Sequence, residues 1–188
     1  MQQSKWYQLE WRRVAWLGLL VVASVAFTLG FACAVPFAAF GAATAITLRA
    51  RDAMLVMVAV WLANQIVGFG FMGYPWTADT AVWGVVLGIV AVVTMLAAQI
   101  AARRLAAFGT MAVAVAAFAG AFAVYEGGLY LISATLLGGT EYYATPIVIQ
   151  IFEINALAYV GLLVMNRLAI AGGFIAKDEP TRTVAVAR

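Results

Sequence analysis

Histidine is absent from this chain, cysteine occurs once, and charge is scarce, with eleven Lys and Arg and eight Asp and Glu among 188 residues. Without histidine there is no imidazole to ligate haem, build a His-rich zinc site or serve as the base of a Ser-His-Asp or Cys-His pair. The lone Cys33 excludes an internal disulfide and any CxxC metal or redox motif. A P-loop sequence is also missing, so ATP hydrolysis of that kind is excluded. Scarce charge excludes most of all a water-facing surface, because a soluble domain carries about a quarter of its residues charged.

What is present is apolar. Hydrophobic residues make up 66% of the chain, and the mean hydropathy is +1.00. Residues 14–48, 53–78, 80–102 and 105–125 contain no charged side chain. Each run exceeds the ~18 residues at which a membrane span becomes the default reading. Because the runs are apolar on every face and do not alternate with polar residues, they describe helices and not the strands of a barrel.

The expected fold is an all-α polytopic membrane bundle forming one domain over residues 1–188, ending in a polar cytoplasmic tail at 177–188. Breaks at Pro36, at Arg49 to Asp52, at Gly73 to Trp76, at Arg103-Arg104 and between Glu126 and Pro146 divide it into six spans. These are about 13–33, 36–48, 53–71, 80–102, 105–125 and 146–170. The second holds only ~13 residues, a rise of about 20 Å, so it is short, tilted, or entered from a loop within the bilayer depth.

Charge orients the bundle. With six spans and an inside amino terminus, Lys5, Arg12, Arg13, Arg49, Arg51, Arg103, Arg104, Arg167, Lys177, Arg182 and Arg188 all lie on the inner side. That is every basic residue, as the positive-inside rule favours, and both termini are then cytoplasmic. Five spans would scatter the same residues over both faces. The formal charge of +3 is thus a topology signal, and no nucleic-acid partner is expected.

Polar residues within hydrocarbon are costly and therefore informative. Asn64 and Gln65 fall in the outer half of the third span, Gln150, Glu153 and Asn155 at the outer start of the sixth, Trp83 early in the fourth, and Tyr125 with Glu126 at the end of the fifth. With Trp61, these nine are the candidate binding residues. Asn64 and Gln65 are equally able to bond neighbouring helices, and the aromatics to form an interfacial belt. Glu153 has no basic residue at its level, so it is protonated, hydrated or facing a cation. All outer charges, Asp79, Glu126, Glu141 and Glu153, are negative, which favours a cationic ligand held between carboxylate and aromatic faces.

Two outer segments are candidate lids: residues 72–80, with Tyr74 and Trp76, and residues 127–145, with Glu141, Tyr142 and Tyr143. Residues 129–137 are too few to span and too apolar for a free loop, which predicts an interfacial or re-entrant piece between Gly127-Gly128 and Gly138-Gly139. Gly68 to Gly73 matches GxGxxG by spacing, but it ends a membrane helix and has no strand before it.

In size, span number, short second span and polar outer half, the chain resembles the substrate-binding membrane subunit, or S-component, of energy-coupling factor vitamin transporters. That resemblance implies high-affinity capture of a vitamin or metal ion at the outer face of a bacterial cytoplasmic membrane. It also implies pairing with a transmembrane coupling subunit and two ATPases, and no enzymatic activity or cofactor of its own. The family's small-residue surface on the first helix corresponds here to Ala26, Gly30 and Ala34. Among vitamins, the acidic and aromatic outer face favours thiamine or a cationic precursor. The alternatives are a metal ion or cobalamin, with Cys33 as a sulfur contact, and a non-transporting scaffold or assembly subunit whose small-residue ridges bind partner helices.

Overall fold

The computed structural model of the chain describes residues 2–30 and 35–175. The described residues are mostly helical, without a strand. Six helices follow in order: α1 (Gln2–Gly30), α2 (Phe37–Thr47), α3 (Ala50–Gly70), α4 (Ala78–Arg104), α5 (Thr110–Ile132) and α6 (Thr145–Ala171). Five segments are long and apolar enough to cross a membrane, namely Trp11–Gly30, Ala50–Gly70, Ala78–Arg104, Thr110–Leu137 and Thr145–Ala171. Cys33, Ala34 and the tail at 177–188 lie outside the described residues.

The short helix is the centre of the bundle. In α2, Phe37, Ala38, Ala39, Phe40, Ala42, Ala43 and Thr44 are all buried, and α3, α4, α5 and α6 pack around it. Alanine-rich sequence makes this possible, because small side chains let several backbones approach one axis. At Gly41 the approach to α4 is tight: an added Cβ would lie 3.0 Å from Thr94 Cγ2 and 3.3 Å from the Met95 amide nitrogen of α4. Phe40 meets Phe27 of α1 edge-on at 6.2 Å.

No side chain of its own caps α2, whose N-cap position is Pro36. Asn155 of α6 does so instead. Its Oδ1 accepts from the Ala39 backbone N–H at 3.1 Å, and its Nδ2 donates to Ile151 O at 2.9 Å. One of the orphan donors of the α2 first turn is thereby satisfied from another helix.

At the opposite end, Arg13 of α1 forms a two-pronged ion pair with Asp52 in the first turn of α3, Nε donating to Oδ2 at 2.9 Å and Nη2 to Oδ1. Asp52 also suits the positive end of the α3 dipole. The amino-terminal parts of α1 and α3 therefore lie at the same end of the bundle.

Two expected boundaries move. The fifth helix starts at Thr110 and not at 105, because residues 106–108 form a tight turn closed by Gly109 at φ 91°. It also runs through Gly127-Gly128 and ends in a wider turn at Ser133–Leu137. Residues 129–137 therefore extend α5 and do not fold back as a separate re-entrant piece. Continuing the helix satisfies every backbone group in an apolar setting, which outweighs the roughly 1 kcal/mol that each helical glycine costs. The chain turns only at Gly138 (φ 77°) and Gly139 (φ 92°), where a left-handed backbone suits glycine alone.

Candidate solute-binding site

The upper part of α3, about 21 to 23 Å along the axis from its start at ~1.5 Å per residue, carries Asn64 and Gln65. Asn64 is buried, and its Oδ1 accepts from Gln65 Nε2 at 3.2 Å. The Gln65 amide lies against α4 because α4 presents glycine there. A Cβ at Gly84 would lie 2.6 Å from Gln65 Oε1, and one at Gly88 would lie 2.7 Å from the Trp61 ring. Trp61 Nε1 donates to Gly84 O at 2.7 Å. Gly84 and Gly88, four residues apart, thus form the flat seat on which two α3 side chains lie.

Behind Gln65 is a partly open cavity of about 120 Å³, lined by Val35 and Phe37 of the α2 entry, Asn64 and Gln65 of α3, Tyr74 of the α3–α4 turn, Thr80, Trp83, Gly84 and Leu87 of α4, and Tyr125 of α5. It lies at the end of the bundle remote from the Arg13–Asp52 pair. Tyr74 is held at its edge by packing on Gly68, where an added Cβ would sit 2.4 Å from its ring, and by its backbone bond to Gly68 O at 3.1 Å. Thr77 caps α4 by accepting from the Thr80 N–H at 3.3 Å. The turn is thus tied at both ends.

In front of Gln65, a more open groove of about 430 Å³ runs between α3 and α4, lined by Trp61, Gln65, Phe69, Trp76, Thr77, Ala78, Ala81, Gly84 and Val85. Phe69 and Trp76 pack with ring centroids 4.7 Å apart at its mouth, and Trp76 is 85% exposed. Gln65 and Gly84 line both spaces.

Of the sequence-derived candidates, Asn64, Gln65, Trp83 and Tyr125 come together on the cavity with Tyr74, and Trp61 and Trp76 join Gln65 on the groove. Glu126 follows Tyr125 but lines neither space. It is buried, and its Oε2 has no hydrogen-bond partner among the described residues. Asn155 is buried and committed to the α2 cap. Gln150 and Glu153 lie on the exposed face of α6, away from the face that buries Asn155, Ala158, Tyr159 and Leu162. Glu141 and Tyr142 are exposed, while Tyr143 is half-buried with its hydroxyl 3.5 Å from Ser133 Oγ. Burial raises the Tyr143 phenol above its usual pKa, the Ser133 bond lowers it, and the nearby Glu126 raises it again. Ala26 and Gly30 are exposed on α1.

Sequence reasoning missed Phe37, Thr80, Leu87 and the Gly84/Gly88 seat. The glycine spacing was the available signal, since a G-x-x-x-G step marks close helix contact in apolar helices. Among the described residues, no three of Asp, Glu or Cys gather as a metal site would require.

The helices define an all-helical bundle of the kind that multi-pass membrane proteins form. No family model, curated protein or solved structure matches the chain.

Proposed function

We propose that this protein is the solute-binding membrane subunit of a micronutrient uptake system, capturing a small cationic aromatic compound, thiamine or a precursor, from the outer side of a bacterial cytoplasmic membrane. The observation that carries the reading is the convergence of Asn64, Gln65, Trp83 and Tyr125 from three helices on one cavity at the end remote from Arg13. Amides with aromatic faces suit a flat, nitrogen-rich solute. No carboxylate lines the cavity itself; Asp79 and Glu126 adjoin its lining residues Thr80 and Tyr125 in sequence, and the preference for a cation rests on the uniformly acidic charge of this end of the chain.

The inferred topology has six crossings with both termini inside. Since α1 and α3 start at the same end and α2 is the helix described between them, a return of the chain across the bundle through α2 supports this count. All basic residues then fall inside. The cavity of about 120 Å³ is smaller than the ~300 Å³ or more of ordinary ligand pockets. Capture therefore involves displacement of Gln65 or Tyr74, which opens the cavity to the groove or to the exterior. A transmembrane coupling subunit and ATPases, as the S-component resemblance implies, would drive release.

The test is thermal unfolding of the purified chain with thiamine, biotin, cobalamin and divalent ions. A ligand at about 100 times its Kd adds roughly 2.7 kcal/mol of stability by mass action. Thiamine is expected to stabilise the wild type, and Asn64→Ala and Trp83→Ala are expected to lose the effect. Stabilisation by biotin alone, or by none of the panel, would overturn the assignment. The assembly-subunit reading draws on one observation, the exposed Gln150 and Glu153 on α6. It predicts no solute response at all.

A further inference from the structure

Glu153 occupies a position where an acid is difficult to keep. It sits on the exposed side of α6 with Gln150 one turn before it, and it has no hydrogen bond or ion pair among the described residues. The surrounding surface is what a lipid-facing helix presents, since Ile149, Leu157, Val160 and Val164 are all more than half exposed.

Depth follows from Arg167, the basic residue near the other end of the same helix. Fourteen residues separate it from Glu153, a rise of about 21 Å at 1.5 Å per residue. Setting Arg167 at the inner edge of a hydrocarbon layer of ~30 Å puts Glu153 about 9 Å inside the outer edge. An ionised Glu153 at that depth calls for a cationic partner, and this chain has no cation to offer at its level. Its Lys and Arg residues cluster at Lys5 to Arg13, Arg49 to Arg51, Arg103-Arg104, and from Arg167 onward, and the Arg13–Asp52 pair marks that end of the bundle. Lipid headgroup amines lie at the interface, beyond the reach of a short Glu side chain. A neighbouring helix is able to bring a Lys or Arg to the same depth. Gly161, two turns along the same face, leaves room for one, because a Cβ there meets nothing within 4 Å.

We propose that the α6 face centred on Glu153 docks a transmembrane helix carrying a basic residue in its outer half, with Gln150 as a second hydrogen-bonding group. This surface is separate from the cavity and from Ala26 and Gly30 on α1, and the inference does not rest on solute capture.

The test uses the full chain in phosphatidylcholine vesicles, labelled with an acceptor dye at V164C in a C33S background. Donor-labelled synthetic Leu-Ala transmembrane peptides carry either one Lys about 9 Å inside the outer edge, or Gln there. Energy transfer should report about fivefold tighter association of the Lys peptide, in keeping with polar contacts between membrane helices. E153Q should remove the preference, and E153K should transfer it to a peptide bearing Asp. Because residue 153 is exposed, the unfolding temperature should remain that of the parent, which separates lost docking from lost folding. Equal association of the Lys and Gln peptides with the parent, or a preference that survives E153Q, would overturn the proposal. Displacement of the Lys peptide by phosphatidylethanolamine in an E153-dependent manner would overturn it in favour of a lipid amine.

Discussion

Asn155 illustrates how a polar residue in hydrocarbon is used for structure. It gives its oxygen to α2 and its amide N–H to its own helix, so Asn155→Ala leaves the Ala39 N–H without an acceptor in a fully buried setting. A loss of about 1–3 kcal/mol is expected, seen as a lower unfolding temperature without ligand, and a neutral result would show that the contact is dispensable. The glycine seat makes a graded prediction. At Gly84 an added Cβ meets the end of a flexible Gln65 side chain at 2.6 Å, whereas at Gly88 it meets the rigid Trp61 indole at 2.7 Å. Gly88→Ala should therefore destabilise by about 1–3 kcal/mol, the cost of overpacking, and Gly84→Ala by less. Equal losses would mean that Gln65 is held as firmly as the indole.

At the scale of elements, helix positions were legible because charge-free runs and basic breaks mark spans directly, and even the short α2 stood out between Pro36 and Arg49. Helix facing was not legible. A soluble helix advertises its buried side by alternating apolar and polar residues, but lipid and protein interior are equally apolar, so the pattern carries no such signal here. Asn64 and Gln65 could be placed on a cavity only because amides are rare, and the same reasoning did not distinguish Asn155, which faces α2, from Glu153, which faces outward. The end of α5 was obscured by Gly127-Gly128, whose helix-breaking tendency loses to the demand for internal hydrogen bonds. The turn beyond α5 makes its own prediction. With the Tyr143 phenol raised above its usual 10.0, chiefly by burial, ionisation is disfavoured in the folded state relative to the unfolded one. The stability tied to it is complete below about pH 10 and declines as pH rises further. Tyr143→Phe should remove that share of the alkaline loss, and an unchanged alkaline profile by thermal unfolding would show the phenol to be free of its surroundings.

For the whole molecule, the six-crossing topology is open to a direct check. Ala107→Cys and Glu141→Cys, both at exposed positions, should label with an impermeant maleimide from the cytoplasmic and the outer side respectively of sealed vesicles of known orientation in a Cys33→Ser background, whereas five crossings would exchange the two sides. Labelling of both from one side, or with the sides exchanged, would remove the topology and the outward placement of the cavity with it. The central α2 also bears on how the protein is made. Its cap comes from Asn155, 116 residues downstream of Ala39, and the helices that enclose it, α3 to α6, are all synthesised after it. A ribosome therefore delivers α2 to the bilayer long before its permanent neighbours exist, and an eleven-residue segment cannot hold a transmembrane position by hydrophobicity alone. Nascent chains arrested before residue 150 should leave residues 36–48 accessible to water-soluble reagents, and complete chains should protect them, so that the last helix to emerge locks the second one into place.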